Sequence, residues 1–270
     1  MISFAIIVLG LIVGSFLNVV IFRLPKAIIK QYKYPSHYHF LDPFRAISTP
    51  RSFAPCCKKQ LVWFENIPIF SWVLILGRCR YCKKPISYRY PFIEILTATF
   101  FYICFNKYGI SSSSFLWMIF FSYVITLSFI DLDTFLLPDL LTLSLLAIGL
   151  IASSLNFISI SINSAFFGAI LGFSLPWSVN KIYYLWRKED GFGGGDFKLL
   201  GGLGAWLGWQ SIIPIISIAS VTAIATTVLL MLYGKKMSLK TQLPFGPFLI
   251  MASVIIFLDI FHPLEILISS

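Results

Sequence analysis

Charged residues are scarce in this chain. Only 12% of its 270 residues are Asp, Glu, Lys or Arg, whereas 58% are hydrophobic. A soluble domain carries about 25% charged residues, so the composition excludes an ordinary soluble domain and predicts an all-α polytopic membrane protein. The first apolar run, residues 2–22, lacks a basic leader and a small-residue cleavage site. We therefore expect it to be the first transmembrane helix and not a cleaved signal peptide.

About twenty apolar residues cross a bilayer as a helix. On this basis the sequence predicts eight spans, with seven as the alternative if the sixth is a re-entrant segment. The second and the sixth are short for a full crossing. The predicted spans are residues 2–22, 92–105, 115–131, 138–155, 165–184, 199–209, 211–233 and 243–261.

Acidic residues are especially few, 11 against 21 basic ones. With eight spans, 20 of the 21 basic residues lie on the same side as the segment of residues 23–91, and only Lys107 lies opposite. The positive-inside rule therefore predicts that this segment is a cytoplasmic loop and that both termini lie on the opposite side of the membrane. The basic residues are spread over separate loops, so the net charge of +10 indicates contact with anionic lipid, not with nucleic acid.

Two aspartates stand where predicted spans reach the membrane surface. Asp131 ends the third span within IDLDTFLLPD, and Asp196 follows three glycines at the start of the sixth. Carboxylates near hydrocarbon are costly and are usually retained for a function. Because the predicted topology puts both aspartates on the cytoplasmic side, they can meet. The pattern indicates an aspartic protease that works at or in the bilayer.

The chemistry of such a pair follows from its electrostatics. Two close carboxylates in a poorly solvated site cannot both ionise cheaply, so one keeps a proton and the pair titrates as a unit. The ionised member can take a proton from water, and the protonated member can donate to the scissile carbonyl oxygen. Asp133 and Asp139 are interpreted as ordinary interface residues, with Asp139 able to cap the fourth helix.

The residues around the two aspartates fit this chemistry. Pro138 cannot continue a helix from the preceding turn, which predicts an irregular link over residues 134–137. A glycine-rich segment permits backbone conformations closed to other residues and lets an extended substrate approach or pair with it. The glycines in question are Gly191, Gly193, Gly194 and Gly195.

Five stretches carry a family resemblance: GSFLNVVIFRLP (14–25), LVWFENIPIFSW (61–72), GRCRYCKKPISYRYPFIE (77–94), IDLDTFLLPDLLTL (130–143) and GGGDFKLLGGLGAWLGW (193–209). Together they resemble the bacterial prepilin peptidases, or type 4 prepilin leader peptidases. The resemblance implies a GxGD-type aspartic protease with Asp131, seven positions before Pro138, and Asp196 as its catalytic pair. It also implies an inner-membrane enzyme that cuts type IV prepilins or type II secretion pseudopilins after a glycine.

The resemblance implies a second activity, methylation of the new N-terminal residue with S-adenosylmethionine. The residues themselves do not indicate it, because there is no glycine-rich nucleotide loop of the usual kind. The 69-residue segment 23–91 is also too small for a doubly wound methyltransferase domain. By resemblance, the candidates for this activity are Glu65, Asn66, Arg89 and Glu94.

The chain has only five cysteines. The family usually carries two CxxC pairs in the loop, a spacing that suits tetrahedral zinc. Here Cys79 and Cys82 form one pair, but Ala54 stands where the other would begin, which leaves Cys57 with Cys56 beside it. Neighbouring lysines and arginines favour thiolates. The fourth ligand is then Cys56, a water molecule, His37 or His39; the alternative is a reduced loop without metal.

Three segments are expected: a first transmembrane helix at residues 1–22, a cytoplasmic loop at 23–91 with the zinc and methyltransferase regions, and a membrane-embedded aspartic peptidase domain at 92–270. Two other functions compete with this interpretation. One is a peptidase of the archaeal preflagellin type without methylation, against which the cysteine-bearing loop argues. The other is a proton-coupled transporter, which predicts acidic residues at mid-membrane and not at one face.

Overall fold

The structure is a computed structural model that describes residues 1–34, 42–49, 51–54, 56–188, 193–234 and 243–258. Regular structure in these ranges is helical, apart from two isolated β-bridges. The helices are α1 (Ile2–Lys33), α2 (Asp42–Ser48), α3 (Phe70–Leu74), α4 (Arg89–Tyr108), α5 (Ser112–Thr134), α6 (Asp139–Ser154), α7 (Ile162–Arg187), α8 (Gly194–Leu207), α9 (Ile212–Leu232) and α10 (Gly246–Phe257), with 3₁₀ turns at Trp63–Asn66 and Trp209–Ser211.

Each predicted span overlaps a helix. Among the described residues, four helical segments are long and apolar enough to cross a membrane: Ile2–Lys33, Ser112–Thr134, Ile162–Arg187 and Trp209–Leu232. Asp139–Ser154 and Gly246–Phe257 are shorter apolar helices. The prediction of an all-α polytopic membrane protein is confirmed, and the number of crossings stays a prediction.

The first helix is longer than expected. It continues past Phe22, where the sequence predicted the cytoplasmic loop to begin, and it ends only at Lys33. Pro25 lies inside it and removes one backbone donor. The residues after Pro25 (Lys26, Ala27 and their neighbours) include good helix formers, so the helix continues as a basic extension.

Contacts divide the chain into two compact units, Met1–Thr126 and Leu127–Ser270, with the division inside α5. In the first unit α1 packs along α4. A Cβ built on Gly10 would lie 2.5 Å from Ala98 Cα, and one on Gly14 would lie 2.7 Å from Glu94 Cα. Small residues thus let these two backbones approach closely.

In the second unit α8 is surrounded by α6, α7 and α10. Gly168 and Gly204 leave no room for a side chain on either helix where α7 meets α8. The indole N–H of Trp206 donates to the Leu145 carbonyl at 2.8 Å, and Gly149 makes space for that ring. Every residue of α8 from Leu199 to Leu207 is buried. Because protein surrounds this 14-residue helix, it need not match the bilayer thickness.

Candidate active site and metal centre

Asp131 lies in the last turn of α5 and is buried, with 5% of its surface exposed. The helix ends three residues later, where Phe135 adopts a left-handed φ of 54°. An irregular link follows, and α6 begins directly after Pro138. An irregular link was predicted over residues 134–137; in the structure Thr134 is still helical, and the link begins at Phe135.

The Asp131 carboxylate has a backbone partner on a distant helix. The amide N–H of Gly246, the first residue of α10, donates to Asp131 Oδ2 at 3.0 Å. A Cβ on Gly246 would lie 2.7 Å from the same oxygen. Only glycine therefore lets this amide reach the carboxylate without displacing it.

Asp196 lies in the first turn of α8, with Gly193 as the N-cap. Its amide N–H donates to the Gly193 carbonyl at 3.1 Å. A carboxylate in the first helical turn is stabilised by the partial positive charge of the helix N-terminus. The side chain is half-buried and lies within electrostatic range of Asp131.

Two further contacts hold the segments of these aspartates together. A Cβ on Gly195 would lie 2.8 Å from Leu137 Cβ, so the link before α6 packs directly on the first turn of α8. Beside it, Lys198 Nζ pairs with Asp139 Oδ1 at 2.6 Å. The structure thus packs the segment that follows Asp131 against the helix turn that carries Asp196.

Some expectations at this site need correction. Gly193 has φ −71°, and Gly194 and Gly195 are helical, so the described glycines of this run do not adopt conformations closed to other residues. Gly195 is required for its small size instead, and a Cβ on Gly194 would meet nothing within 4 Å. Asp139 does not cap its helix, because Pro138 holds the N-cap position. Gly191 lies outside the described residues.

The sequence reasoning missed two residues. Gly246 was part of the eighth predicted span, although two prolines, Pro244 and Pro247, flank it closely and mark a helix start. Lys198 was counted only as a loop charge. Lys198 stands two residues after Asp196, and Asp139 directly follows Pro138. These two positions were the sequence signal for the ion pair.

The four loop cysteines form a single cluster. The Sγ atoms of Cys56, Cys57, Cys79 and Cys82 all lie within 4.8 Å of one another, and none is in a disulfide. Cys82 Sγ lies 3.1 Å from Cys56 Sγ, and Cys57 Sγ lies 3.9 Å from Cys79 Sγ. Four thiolates around a tetrahedral zinc are separated by about 3.8 Å, given Zn–S bonds of about 2.3 Å. The cluster could therefore hold a metal ion.

The cluster is built from two turns of the same form. In the first turn the Lys58 N–H donates to the Ala54 carbonyl, and the Ala54 N–H donates to the Lys59 carbonyl. The second turn, 25 positions later, has the same two hydrogen bonds, with Lys83, Cys79 and Lys84 in place of Lys58, Ala54 and Lys59. Lys58 and Lys83 also share a left-handed φ, 58° and 59°. Ala54 thus occupies the place that Cys79 holds in the other turn, and Cys56 supplies the fourth sulfur.

Backbone amides favour the thiolate at one of these cysteines. The N–H of Cys82 is the main group that lowers the pKa of Cys79 to about 7. A thiolate is the form that binds metal. His37 and His39, the other ligands considered, lie outside the described residues.

Three of the four methyltransferase candidates line one cavity in the first unit: Glu65, Asn66 and Glu94. Arg89, at the start of α4, is not among its lining residues.

Comparison with known proteins identifies the class. Residues 8–108 match the bacterial Peptidase A24 N-terminal domain, and residues 118–228 match the type IV leader peptidase family. A relative in Xanthomonas campestris pv. campestris, named prepilin leader peptidase/N-methyltransferase, is 38% identical over 92% of this chain and 88% of its own length. Relatives with the same name in Aeromonas hydrophila and Pseudomonas aeruginosa are each 38% identical, over 90% and 91% of this chain and 86% of their own lengths.

The fold and these matches define a polytopic membrane protein of the peptidase A24 class. The chain belongs to the type IV leader peptidase family, which confirms the resemblance seen in the sequence. No solved structure matches it.

The cysteine geometry predicts that the purified protein carries one metal ion per chain. Cys56→Ser and Cys79→Ser should each remove most of this metal, because either change leaves three sulfur ligands. Elemental analysis of protein purified without added metal measures the ratio. Cys104→Ser, in α4 and outside the cluster, is the matched control and should keep the wild-type ratio. Equal metal in the Cys56→Ser and wild-type proteins would exclude Cys56 as a ligand.

Proposed function

We propose that this protein removes the leader peptide of type IV prepilins or type II secretion pseudopilins and then methylates the new N-terminus. Its relatives carry the name prepilin leader peptidase/N-methyltransferase over nearly their whole length. The observation that carries the peptidase half is the juxtaposition of Asp131 and Asp196 at two helix ends. A proton-coupled transporter is disfavoured, because both carboxylates stand at helix ends and not at mid-helix.

The pair divides the work of hydrolysis. The ionised carboxylate takes a proton from water as the water oxygen attacks the scissile carbonyl carbon after glycine. The protonated carboxyl donates to the carbonyl oxygen, and the C–N bond then breaks with proton transfer to the leaving amine. The Gly246 amide fixes the Asp131 carboxylate, and the N-terminus of α8 stabilises negative charge on Asp196.

The substrate has to present an unwound peptide to this pair. The apolar helical stem of the prepilin lies among membrane helices, with the cleavage site unravelled beside Gly193. Gly193 is exposed, extended and without a side chain, so a substrate backbone can approach it closely. Pro138 ends the link on the other side of the site.

Methylation uses the amine that cleavage releases. S-adenosylmethionine supplies a methyl group, which leaves the sulfonium sulfur for the amine nitrogen; S-adenosylhomocysteine remains, and the amine loses a proton. Cys56, Cys57, Cys79 and Cys82 would hold a zinc ion, because a set of four thiolates suits that metal. The zinc would be structural, since four protein ligands leave no open position for a substrate.

The protein lies in the bacterial inner membrane with residues 23–91 in the cytoplasm and both termini in the periplasm. The one-sided distribution of 20 of 21 basic residues supports this orientation. The same residues contact anionic lipid headgroups on the cytoplasmic side.

Asp131→Asn and Asp196→Asn should each abolish leader removal, with a loss of about 10²–10⁴-fold or more, because neither half of the acid–base pair can act alone. Purified prepilin in detergent is the substrate, and its size on a gel is the readout. Asp133→Asn, exposed on the same helix as Asp131, is the matched control and should cleave normally. Cleavage by either single variant at the wild-type rate would contradict the two-aspartate mechanism.

Gly246→Ala should lower kcat about 10–100-fold, because the added methyl group displaces the Asp131 carboxylate by a fraction of an ångström or more. KM and the unfolding midpoint should change little, since the helix start remains. Met251→Ala, exposed on the same helix, controls for a general effect on α10. A rise in KM without loss of kcat would show that Gly246 serves substrate binding and not Asp131.

Accessibility of introduced cysteines tests the orientation. A membrane-impermeant maleimide should label Ser111→Cys, in the link between α4 and α5, in intact spheroplasts. It should label Lys188→Cys, after α7, only once the membrane is permeabilised. Both positions are exposed, and the unaltered protein is the blank. The reverse pattern would invert the proposed topology.

A further inference from the structure

The end of α5, beside Asp131, carries an unusual residue for its backbone conformation. A left-handed residue after a helix is most often glycine, and Gly109, Gly208 and Gly234 have this conformation after α4, α8 and α9. After α5 the same conformation is adopted by Phe135, with φ 54°. The Cβ atom makes this region unfavourable for residues other than glycine, and a bulky side chain is rarely found there. The backbone is therefore strained at Phe135.

Burial does not offset this strain. Phe135 has 54% of its surface exposed, and Leu136 has 38%. The link between α5 and α6 packs through Leu137 instead, because Cβ atoms built on Gly195 and Gly246 would lie 2.8 Å and 3.4 Å from atoms of its side chain. Glycine at position 135 would end the helix at lower cost, so the packing of the fold gives no reason for an aromatic residue there.

Phe135 is joined directly to the turn that carries Asp131. Its amide N–H donates to the Asp131 carbonyl at 2.9 Å, which closes the last turn of α5. The Asp131 carboxylate is in turn held by the Gly246 amide. An exposed aromatic residue thus follows a candidate catalytic group at a fixed point of the backbone. Strain that the surrounding fold does not require is typical of residues that serve a site.

We propose that Phe135 binds the prepilin through an apolar side chain at the start of the helical stem, beside the scissile bond. This inference rests on the proposed leader-peptidase function and adds a substrate-contacting residue to it. An unwound apolar segment exposes side chains that gain free energy when they are buried, and an exposed ring offers a large surface for them. Leu136, also exposed, extends this surface.

The other possible neighbour of the ring is lipid, because aromatic side chains also anchor helix ends at the membrane interface. An anchor has only to lie at the correct depth, and Leu132, within α5 and 49% exposed, reaches the surroundings without backbone strain. The position of Phe135 directly after the Asp131 turn therefore favours the substrate. Measurements in detergent separate the two roles, since no bilayer is present there.

Phe135→Gly and Phe135→Asn both remove the ring, and both residues tolerate a left-handed backbone. With purified prepilin in detergent, each should raise KM about tenfold and change kcat less than about twofold, because a substrate contact is lost while Asp131 keeps its place. Each should also raise the unfolding midpoint by about 2–4 °C, since the strain is relieved. Phe135→Tyr keeps the ring and should keep KM within about twofold of wild type.

Leu76→Gly is the matched control. Leu76 follows α3 in the first unit, is 84% exposed and has a φ of 50°. Glycine at this position should also raise the unfolding midpoint, but it should leave KM for prepilin unchanged. A fall in kcat without a rise in KM in the Phe135 variants would show an effect through Asp131, and a loss in Phe135→Gly alone would show an effect of backbone flexibility. Either result would overturn the substrate contact.

Photo-cross-linking measures the contact without catalysis. p-Benzoylphenylalanine in place of Phe135, in the Asp196→Asn protein, should cross-link to the first residues of the prepilin stem, as mapped by mass spectrometry. The same group in place of Ile110, which is 80% exposed between α4 and α5, should not label those residues. Cross-links from position 135 to lipid alone would replace the substrate contact by a membrane anchor. Failure of the wild-type protein to cleave prepilin would instead overturn the proposed function.

Discussion

The close approach of the first turn of α8 to the link before α6 is the constraint on which the candidate active site depends. Gly195 leaves no space between that turn and Leu137, and the pair of Lys198 with Asp139 lies alongside. A bulkier residue at position 195 would push the start of α8, and with it Asp196, away from Asp131. Helices within a membrane gain little from hydrophobic burial against one another, so small residues and polar contacts determine how closely they pack. The same principle applies to Gly168 and Gly204 on the other side of α8.

Part of this arrangement could be predicted from the sequence. The apolar runs predicted eight segments, and each overlaps a helix of the structure. Hydropathy is a strong signal because about twenty residues must satisfy their backbone hydrogen bonds inside lipid. The motifs around Asp131 and Asp196 also pointed to two segments that the structure packs against one another. The end of the first helix was missed, because Arg23 and Pro25 are typical of a loop and only the packing shows that the helix continues to Lys33.

Other features could not be predicted, since they depend on contacts between distant positions. Gly246 lies 115 residues from Asp131, and nothing local to either residue indicates the hydrogen bond between them. The three glycines before Asp196 were expected to matter for backbone conformation, whereas only the size of Gly195 does. The fourth ligand of the cysteine cluster could not be predicted either. Spacing alone left four choices for the fourth ligand, and the repeated turn geometry is what brings Cys56 into the cluster in place of Ala54.

The chemistry of the two proposed activities imposes an order on them. The amine that receives the methyl group is an internal peptide nitrogen until the leader is removed, and a peptide nitrogen is a poor nucleophile because its lone pair is delocalised into the carbonyl. The proposed hydrolysis at the aspartate pair would therefore create the substrate for methyl transfer. The candidate residues for the two reactions lie in different units of the chain. The aspartates come after residue 126, and the methyltransferase candidates Glu65, Asn66 and Glu94 come before it. Hydrolysis needs water beside the scissile carbonyl, whereas methyl transfer works best where water is excluded from the reacting amine. These opposite requirements favour two separate sites over one aspartate centre that serves both reactions.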